Sequence, residues 1–253
     1  MKQLKTALIL AGGKGTRFSE YTKLIPKPMI RINKIPLLIH IINIYKKQGV
    51  NNFIVLTGYK SEVITDFFSM NFPKIDDENF IINKKVKVRL LFTGLESQTG
   101  GRVKQAIDYF DDEYFYLTYG DGVGNINLNK LNQFHFENET IGTLTAVRPP
   151  ARFGSLDIDE NNKVKKFGEK NNLNEGWING GFFILNKSIK RFIKDDSTAL
   201  EREPLEKLAL INELKAYKHF DYWRPVDTIR EKEILEEEMD NNKFNFYEKL
   251  LEK

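Results

Sequence analysis

Thr6-Ala7-Leu8-Ile9-Leu10-Ala11-Gly12-Gly13-Lys14-Gly15-Thr16-Arg17 stands near the start of the chain, an apolar run that ends in a glycine-rich, basic loop. Residues 7–10 carry no polar alternation, which is the pattern of a strand buried on both faces of a parallel sheet. A loop leaving the carboxyl end of such a strand borders the ligand crevice of an open α/β sheet. Its three glycines would let backbone N–H groups approach phosphate oxygens, and Lys14 and Arg17 would add positive charge. Two well-known phosphate loops do not fit. A P-loop needs Ser or Thr after Gly-Lys, where Gly15 stands, and a dinucleotide fingerprint needs glycine where Phe18 stands. Taken alone, the glycines fit a plain turn at a strand end equally well.

Working outward, the same rhythm recurs. Leu37, Leu38, Ile41, Ile42 and Tyr45 follow Pro36 at helical spacing, and Gly49 stops that helix. Residues 53–56 read as a strand, and Ser61 as the cap of a helix holding Val63, Ile64, Phe67 and Phe68. Residues 88–92, 102–110 and 114–119 repeat strand, helix, strand. Alternation of this kind gives an α/β fold of Rossmann-like type, a mostly parallel sheet flanked by helices. Past residue 140 the runs shorten to strand-like pieces at 143–147, 153–158, 164–167 and 182–185, which read as a smaller β-rich, mixed-sheet extension or a substrate-binding subdomain. Residues 231–240 read as a helix followed by an Asn/Lys-rich tail. The whole of 1–253 is expected to form one domain with parts 1–140, 141–230 and 231–253.

Composition narrows the function. With 253 residues, 41% apolar and 29% charged, the chain can bury a substantial core. Lys plus Arg number 39 against 35 Asp plus Glu, and the resulting +4 is too small an excess to point to nucleic acid. The basic run at 84–89 alternates with apolar residues, as on the solvated face of a strand. The absence of cysteine excludes disulfides, thiolate metal sites and cysteine nucleophiles. His40, His135 and His219 are too scattered for a zinc cluster. The apolar run at 6–11 is short for a signal peptide, and no stretch has transmembrane length, so a cytoplasmic protein without membrane association is expected.

Several residues outside the first loop could carry chemistry. In Pro26-Lys27-Pro28-Met29 two prolines stiffen the backbone around one lysine, which could hold an ammonium beside phosphate charge or simply be solvated. Asp121 lies in Gly120-Asp121-Gly122, directly after the apolar strand at 114–119. There it could bind magnesium or act as an ordinary turn residue. Asp227, before Thr228, reads by itself as a plain helix N-cap. Thr99-Gly100-Gly101-Arg102 precedes the helix placed at 102–110, and its backbone could approach the edge of a base. Asn179-Gly180-Gly181 could close on a ligand or form a β-bulge. Glu169-Lys170 could be a surface pair.

Gly12-Gly13-Lys14-Gly15-Thr16-Arg17 followed by Pro26-Lys27-Pro28-Met29 resembles the signature of the sugar-phosphate nucleotidyltransferases, also called nucleoside-diphosphate-sugar pyrophosphorylases. The resemblance extends along nearly the whole chain through Thr99 to Arg102, Tyr119-Gly120-Asp121-Gly122-Val123, Pro150-Ala151-Arg152-Phe153-Gly154, Ile178-Asn179-Gly180-Gly181-Phe182-Phe183, Glu203-Pro204-Leu205 and Trp223-Arg224-Pro225-Val226-Asp227-Thr228. These segments are most similar to the glucose-1-phosphate cytidylyltransferase branch. Ile25, where the branch has lysine, Gln98, where it has methionine, and a shorter stretch between Phe68 and Thr93 depart from that pattern.

The resemblance implies a magnesium-dependent transfer of a cytidylyl group from CTP to a sugar 1-phosphate, above all α-D-glucose 1-phosphate. The products would be pyrophosphate and an activated sugar for surface polysaccharide such as O-antigen. It implies nucleotide contacts at Leu10, Ala11, Gly12, Gly13, Gly15, Thr16, Arg17, Lys27, Thr99, Gly100, Arg102 and Asp121, with Arg17, Lys27 and Asp121 catalytic. Tyr119, Glu169, Lys170, Asn179 and Gly180 would hold the sugar phosphate, Asp121 and Asp227 the metal, and the enzyme would be a homo-oligomer. The attacking oxygen is already anionic, so the absence of a histidine base fits catalysis by positioning and charge. A glycosyltransferase would favour Asp-x-Asp, but Val123 stands two after Asp121. A thymidylyl- or uridylyltransferase on a sugar 1-phosphate, a cytidylyltransferase on a different phosphorylated substrate and a catalytically silent nucleotide-binding module are the other readings.

Overall fold

The strand expected at residues 7–10 runs from Thr6 to Leu10 (β1), and all five of its residues are buried. A computed structural model describes residues 3–15, 24–83, 85–149, 155–160, 163–168 and 176–241. After a 3-10 turn at Lys27–Met29 come the short strands β2 (Arg31–Ile32) and β3 (Ile35–Pro36), then α1 (Leu37–Lys46), β4 (Asn52–Thr57) and α2 (Ser61–Asn71). The chain continues through β5 (Asn79–Ile82), β6 (Val86–Phe92), α3 (Thr99–Ala106), β7 (Tyr114–Tyr119), β8 (Gly122–Gly124) and α4 (Leu128–Asn138). It goes on with β9 (Gly142–Val147), β10 (Ser155–Ile158), β11 (Val164–Gly168) and β12 (Ile178–Asn186). Then come α5 (Glu203–Leu210), β13 (Leu214–Lys218), β14 (Trp223–Pro225) and α6 (Ile229–Asp240).

Eight strands form one mixed sheet in the order β13-β9-β12-β7-β1-β4-β6-β5. β1 pairs parallel with both β4 and β7, and β4 parallel with β6. The chain builds outward from β1 through β4 to β6, then crosses back to lay β7 on the other side of β1. That reversal is a topological switch point, and in open α/β sheets the ligand crevice lies at the carboxyl ends of the strands that flank it. Leu10 is in register with Tyr119, so the loops after β1 and β7 leave the sheet side by side.

Successive β1 residues point to opposite faces, which explains the unbroken apolar run. Ala7 and Ile9 join Phe53, Val55 and the α1 residues Leu38, Ile41, Ile42 and Tyr45 in one core. Leu8 and Leu10 join Ile54, Leu56, Val103 of α3 and Leu208 of α5 in the other. α1 is buried at every position from Leu37 to Tyr45 and not on one stripe, because β3 and β8 also pack against it.

Several boundaries differ from the sequence expectation. The helix placed at 102–110 starts at Thr99 and ends at Ala106, with a 3-10 turn at Ile107–Tyr109, so Thr99-Gly100-Gly101-Arg102 is its first turn and does not precede it. The α2 cap position is Lys60, in the left-handed region at φ 54, and no side chain caps that helix. Ser61 is therefore its first residue and not its cap. The pieces at 143–147 and 182–185 extend the main sheet as β9 and β12, with β12 antiparallel to β7. Among the described residues β10 and β11 pair only with each other, antiparallel. The basic run ends in β6, where Val86 and Val88 are buried and Lys87 is exposed, as alternation on one solvated face requires.

Two buried polar contacts make this fold testable. Tyr116 on β7 donates to Asn132 Oδ1 on α4 at 2.7 Å. Tyr116→Phe leaves that amide unsatisfied and should lower the urea-unfolding free energy by about 1–3 kcal/mol, while Tyr116→Phe with Asn132→Leu should recover much of the loss. Burial lowers the pKa of His135 from 6.5 to about 4, and its Nδ1 lies 2.8 Å from Thr143 Oγ1. The unfolded chain therefore binds a proton that the folded one does not, so stability should fall as pH drops from 6.5 towards 4. In His135→Gln that decline should be shallower.

Candidate active site

Three segments distant in sequence meet at one lysine. Pro26 and Pro28 flank Lys27 in the 3-10 turn, and the turn buries the side chain instead of releasing it to solvent. Its Nζ donates to Asp121 Oδ2 at 2.8 Å and to Asp227 Oδ1 at 2.5 Å. Asp121 is placed by the turn between β7 and β8. Asp227 is placed by β14, which pairs antiparallel with β8 so that Pro225 stands opposite Gly122, and the Val226 N–H donates to the Asp121 carbonyl at 2.8 Å.

The N-cap reading of Asp227 is overturned. Thr228 caps α6, its Oγ1 accepting from the Glu231 N–H at 3.2 Å, while Glu231 Oε2 accepts from the Asp227 N–H at 2.8 Å. The Thr228 cap satisfies the helix end without the Asp227 side chain, and Glu231 holds the N–H of the residue before the cap.

Arg102 organises the loops around this point. Its guanidinium donates to the carbonyls of Thr57 (2.9 Å), Gly94 (2.9 Å) and Gly12 (3.1 Å) and to Thr93 Oγ1 (2.6 Å). It thereby ties the loop after β1 to the ends of β4 and β6. Burial holds its pKa below the usual arginine value. A Cβ at residue 12 would lie 2.3 Å from Arg102 Nη1, so the first glycine of the loop is required by this packing. Gly100 and Gly101 serve a different contact. A Cβ there would fall 2.7 Å from the Thr198 carbonyl and 2.4 Å from Asp196 Cα, so the first turn of α3 lies on the 196–198 backbone.

The result is a cleft of about 220 Å³. Leu10, Ala11, Gly12, Gly13, Gly15, Lys27, Thr99, Arg102 and Asp121 line it, and so does Tyr119, while Gly100 faces the 196–200 segment. On the Tyr119 side, Asn179 Nδ2 donates to Tyr119 Oη at 3.0 Å, and Trp223 Nε1 donates to the Gly180 carbonyl at 2.8 Å. The β9–β12 register shifts between Asn179 and Phe183, so the bulge reading of Asn179-Gly180-Gly181 holds, with Gly181 at φ 78. Thr16, Arg17, Glu169 and Lys170 lie outside the described residues. Sequence reasoning did not find Ser97, Pro28 and Gly120 as cleft residues, nor Glu201, to which Tyr119 donates at 2.8 Å. Each is assembled by packing, and only the neighbouring motifs hint at them.

Among the described residues no group of three or more His, Asp or Glu side chains gathers as a metal cage. The Asp121–Asp227 pair nevertheless fits a hard divalent cation that takes one or two carboxylates and completes its shell with phosphate oxygens and water. The Lys27 ammonium between them shows that this point favours positive charge. No described helix is long and apolar enough to cross a membrane.

A mixed sheet whose parallel strands reverse order beside a glycine loop, with a lysine and two carboxylates gathered next to it, defines a nucleotide-handling α/β protein. The chain belongs to the Nucleotidyl transferase family, which it matches over residues 6–227. It is 43% identical over 242 residues to the glucose-1-phosphate cytidylyltransferase of Salmonella typhi, covering 91% of this chain and 94% of that protein. It is 34% identical over 183 residues to the D-glycero-alpha-D-manno-heptose 1-phosphate guanylyltransferase of Campylobacter jejuni, covering 72% of this chain and 76% of that one. The crystal structure of HddC from Yersinia pseudotuberculosis superposes with a TM-score of 0.70 at 26% identity, covering 93% of this chain and all of that one.

Arg102→Lys tests the loop staple. A point charge cannot reproduce the planar fork of donors, so the variant should lose about 2–3 kcal/mol in urea unfolding. A loss below about 0.5 kcal/mol would show that the loops hold their places without it.

Proposed function

We propose that the protein transfers the cytidylyl group of CTP to α-D-glucose 1-phosphate, releasing pyrophosphate and CDP-glucose. The observation that carries the reading is the 43% identity to the Salmonella typhi cytidylyltransferase over nearly the full length of both chains. The guanylyltransferase similarity is lower and covers less of the chain, which favours the cytosine base. The convergence of Lys27, Asp121 and Asp227 beside the glycine loop supports a phosphate reaction at this cleft.

In this reading an oxygen of the sugar phosphate attacks the α-phosphorus of CTP, and the bond from that phosphorus to the bridging oxygen of pyrophosphate breaks. No proton must leave the nucleophile, so the chain supplies position and charge and no base. Lys27 serves the triphosphate, and Arg17, from the same glycine loop, serves the leaving pyrophosphate. Backbone N–H groups of the glycine loop beyond Ala11, whose own N–H bonds to the Leu56 carbonyl, cradle phosphate oxygens. Asn179, Gly180 and Tyr119 face the sugar, and Glu169 and Lys170 hold its hydroxyls and phosphate. We assign magnesium as the metal, held by Asp121 and Asp227. When bound it neutralises the charge that builds between the α-phosphate and the leaving group. The working enzyme is a cytoplasmic homo-oligomer that supplies activated glucose for surface polysaccharide.

A pyrophosphate-release screen that crosses four nucleoside triphosphates with a panel of sugar 1-phosphates tests the assignment, and CTP with glucose 1-phosphate should give the highest kcat/KM. A clear win for dTTP, UTP or GTP would reject the base. Removing divalent ions with EDTA should abolish turnover, and added magnesium should restore it. Asp121→Asn should lose turnover and keep its fold by circular dichroism, since an amide preserves shape but not charge. Lys170→Ala should raise the KM for glucose 1-phosphate about ten- to a hundredfold and leave CTP binding near normal.

A further inference from the structure

Glu201 belongs to none of the glycine, proline or aspartate motifs, yet its carboxylate joins two walls of the cleft. It sits in the turn just before α5. Tyr119 Oη donates to its Oε1 at 2.8 Å and Thr99 Oγ1 donates to its Oε2 at 2.5 Å. Thr99 opens α3 on the side of the loop staple, and Tyr119 ends β7 next to β12. Both line the cleft.

A carboxylate only accepts, so it forces both hydroxyls to be donors. Tyr119 has one proton to give, and once Glu201 takes it the phenol oxygen must accept. It does so from Asn179 Nδ2 at 3.0 Å. The carbonyl end of the same amide, Oδ1, accepts from the Gly181 N–H at 2.9 Å. The result is a one-way chain from Gly181 through Asn179 and Tyr119 to Glu201. Within it the Asn179 carboxamide has one permitted orientation and one Nδ2 hydrogen left over. Thr99 Oγ1 also accepts from the Leu200 N–H at 2.8 Å, which holds the Glu201 segment in place.

We propose that Glu201 is a positioning residue for the sugar phosphate: acting through Tyr119, it fixes the direction in which the Asn179 carboxamide offers its remaining donor to the sugar. This rests on the reading above that Asn179 faces the sugar. Glutamine at 201 is the informative change, because it keeps the size but removes the charge and can donate, so the Tyr119 hydroxyl is no longer held as a donor to position 201 and its hold on Asn179 Nδ2 is loosened.

Steady-state kinetics and side-chain amide spectra on the full-length protein decide it. Glu201→Gln should raise the KM for glucose 1-phosphate about tenfold while the KM for CTP changes by less than about threefold. In a Tyr119→Phe background the chain is already cut, and adding Glu201→Gln should change the sugar KM by less than about twofold. The Asn179 amide pair in a 15N spectrum, assigned by its loss in Asn179→Asp, should move in Glu201→Gln as it does in Tyr119→Phe. It should stay in place in Glu206→Gln, an exposed control on α5. An unmoved Asn179 pair in Glu201→Gln, equal shifts in both KM values, or additive effects in the double variant would overturn the proposal. Wild-type inactivity toward every substrate pair would overturn the substrate assignment and with it the sugar role, while the amide spectra would still decide whether Glu201 orients Asn179.

Discussion

One ammonium group organises the centre of this molecule. Lys27 bonds to carboxylates 94 and 200 residues further along the chain, and Lys27 and Asp121 line one cleft. Two carboxylates this close repel unless a cation lies between them, and a buried lysine is costly without anionic partners. Each group therefore stabilises the others only when the surrounding fold delivers all three. The Pro26 and Pro28 frame, the β7–β8 turn and the β8–β14 pairing are the means of delivery. The same electrostatics suits a phosphate reaction, in which cations must meet charge that moves between oxygens.

The second constraint is mechanical. Where the loops after β1, β4 and β6 leave the sheet, Arg102 collects three of their carbonyls together with one threonine hydroxyl. A guanidinium suits this task because its donors lie in one plane and diverge. The glycine loop is thus held from beneath by a buried cation, and Gly12, Gly13 and Gly15 line the cleft. Gly12 is small for the sake of Arg102, and Gly100 and Gly101 are small for the sake of the 196–198 backbone. Glycines in two motifs that look alike in sequence therefore serve different contacts.

The opposite wall follows another logic. Tyr119, Asn179, Gly181 and Glu201 form a directed line of hydrogen bonds and, among the described residues, no ion pairs. Such a line gives each polar group one orientation, which suits recognition of neutral hydroxyls better than of phosphate charge. The cleft is divided between a charged half and a half of ordered dipoles.

Much of this was legible in the chain itself. The unbroken apolar run at 7–10 announced a strand covered on both faces, and the strand–helix rhythm to residue 119 announced a parallel sheet with its crevice beside the glycine loop. Those signals are local: side-chain periodicity and glycine placement act within a few residues. Lys27, Asp121 and Asp227 were readable as candidates from proline, glycine and threonine neighbours, and family resemblance joined them. What only the tertiary structure decided is who touches whom. Asp227 could have capped its helix, but Thr228 does so, because the β8–β14 pairing turns the Asp227 carboxylate towards Lys27. Arg102 and Glu201 carry no local mark of their roles, since each acts on groups brought from other strands and loops. Periodicity fixes which face a residue occupies, whereas a hydrogen-bond partner a hundred residues away is fixed only when the sheet has closed its order.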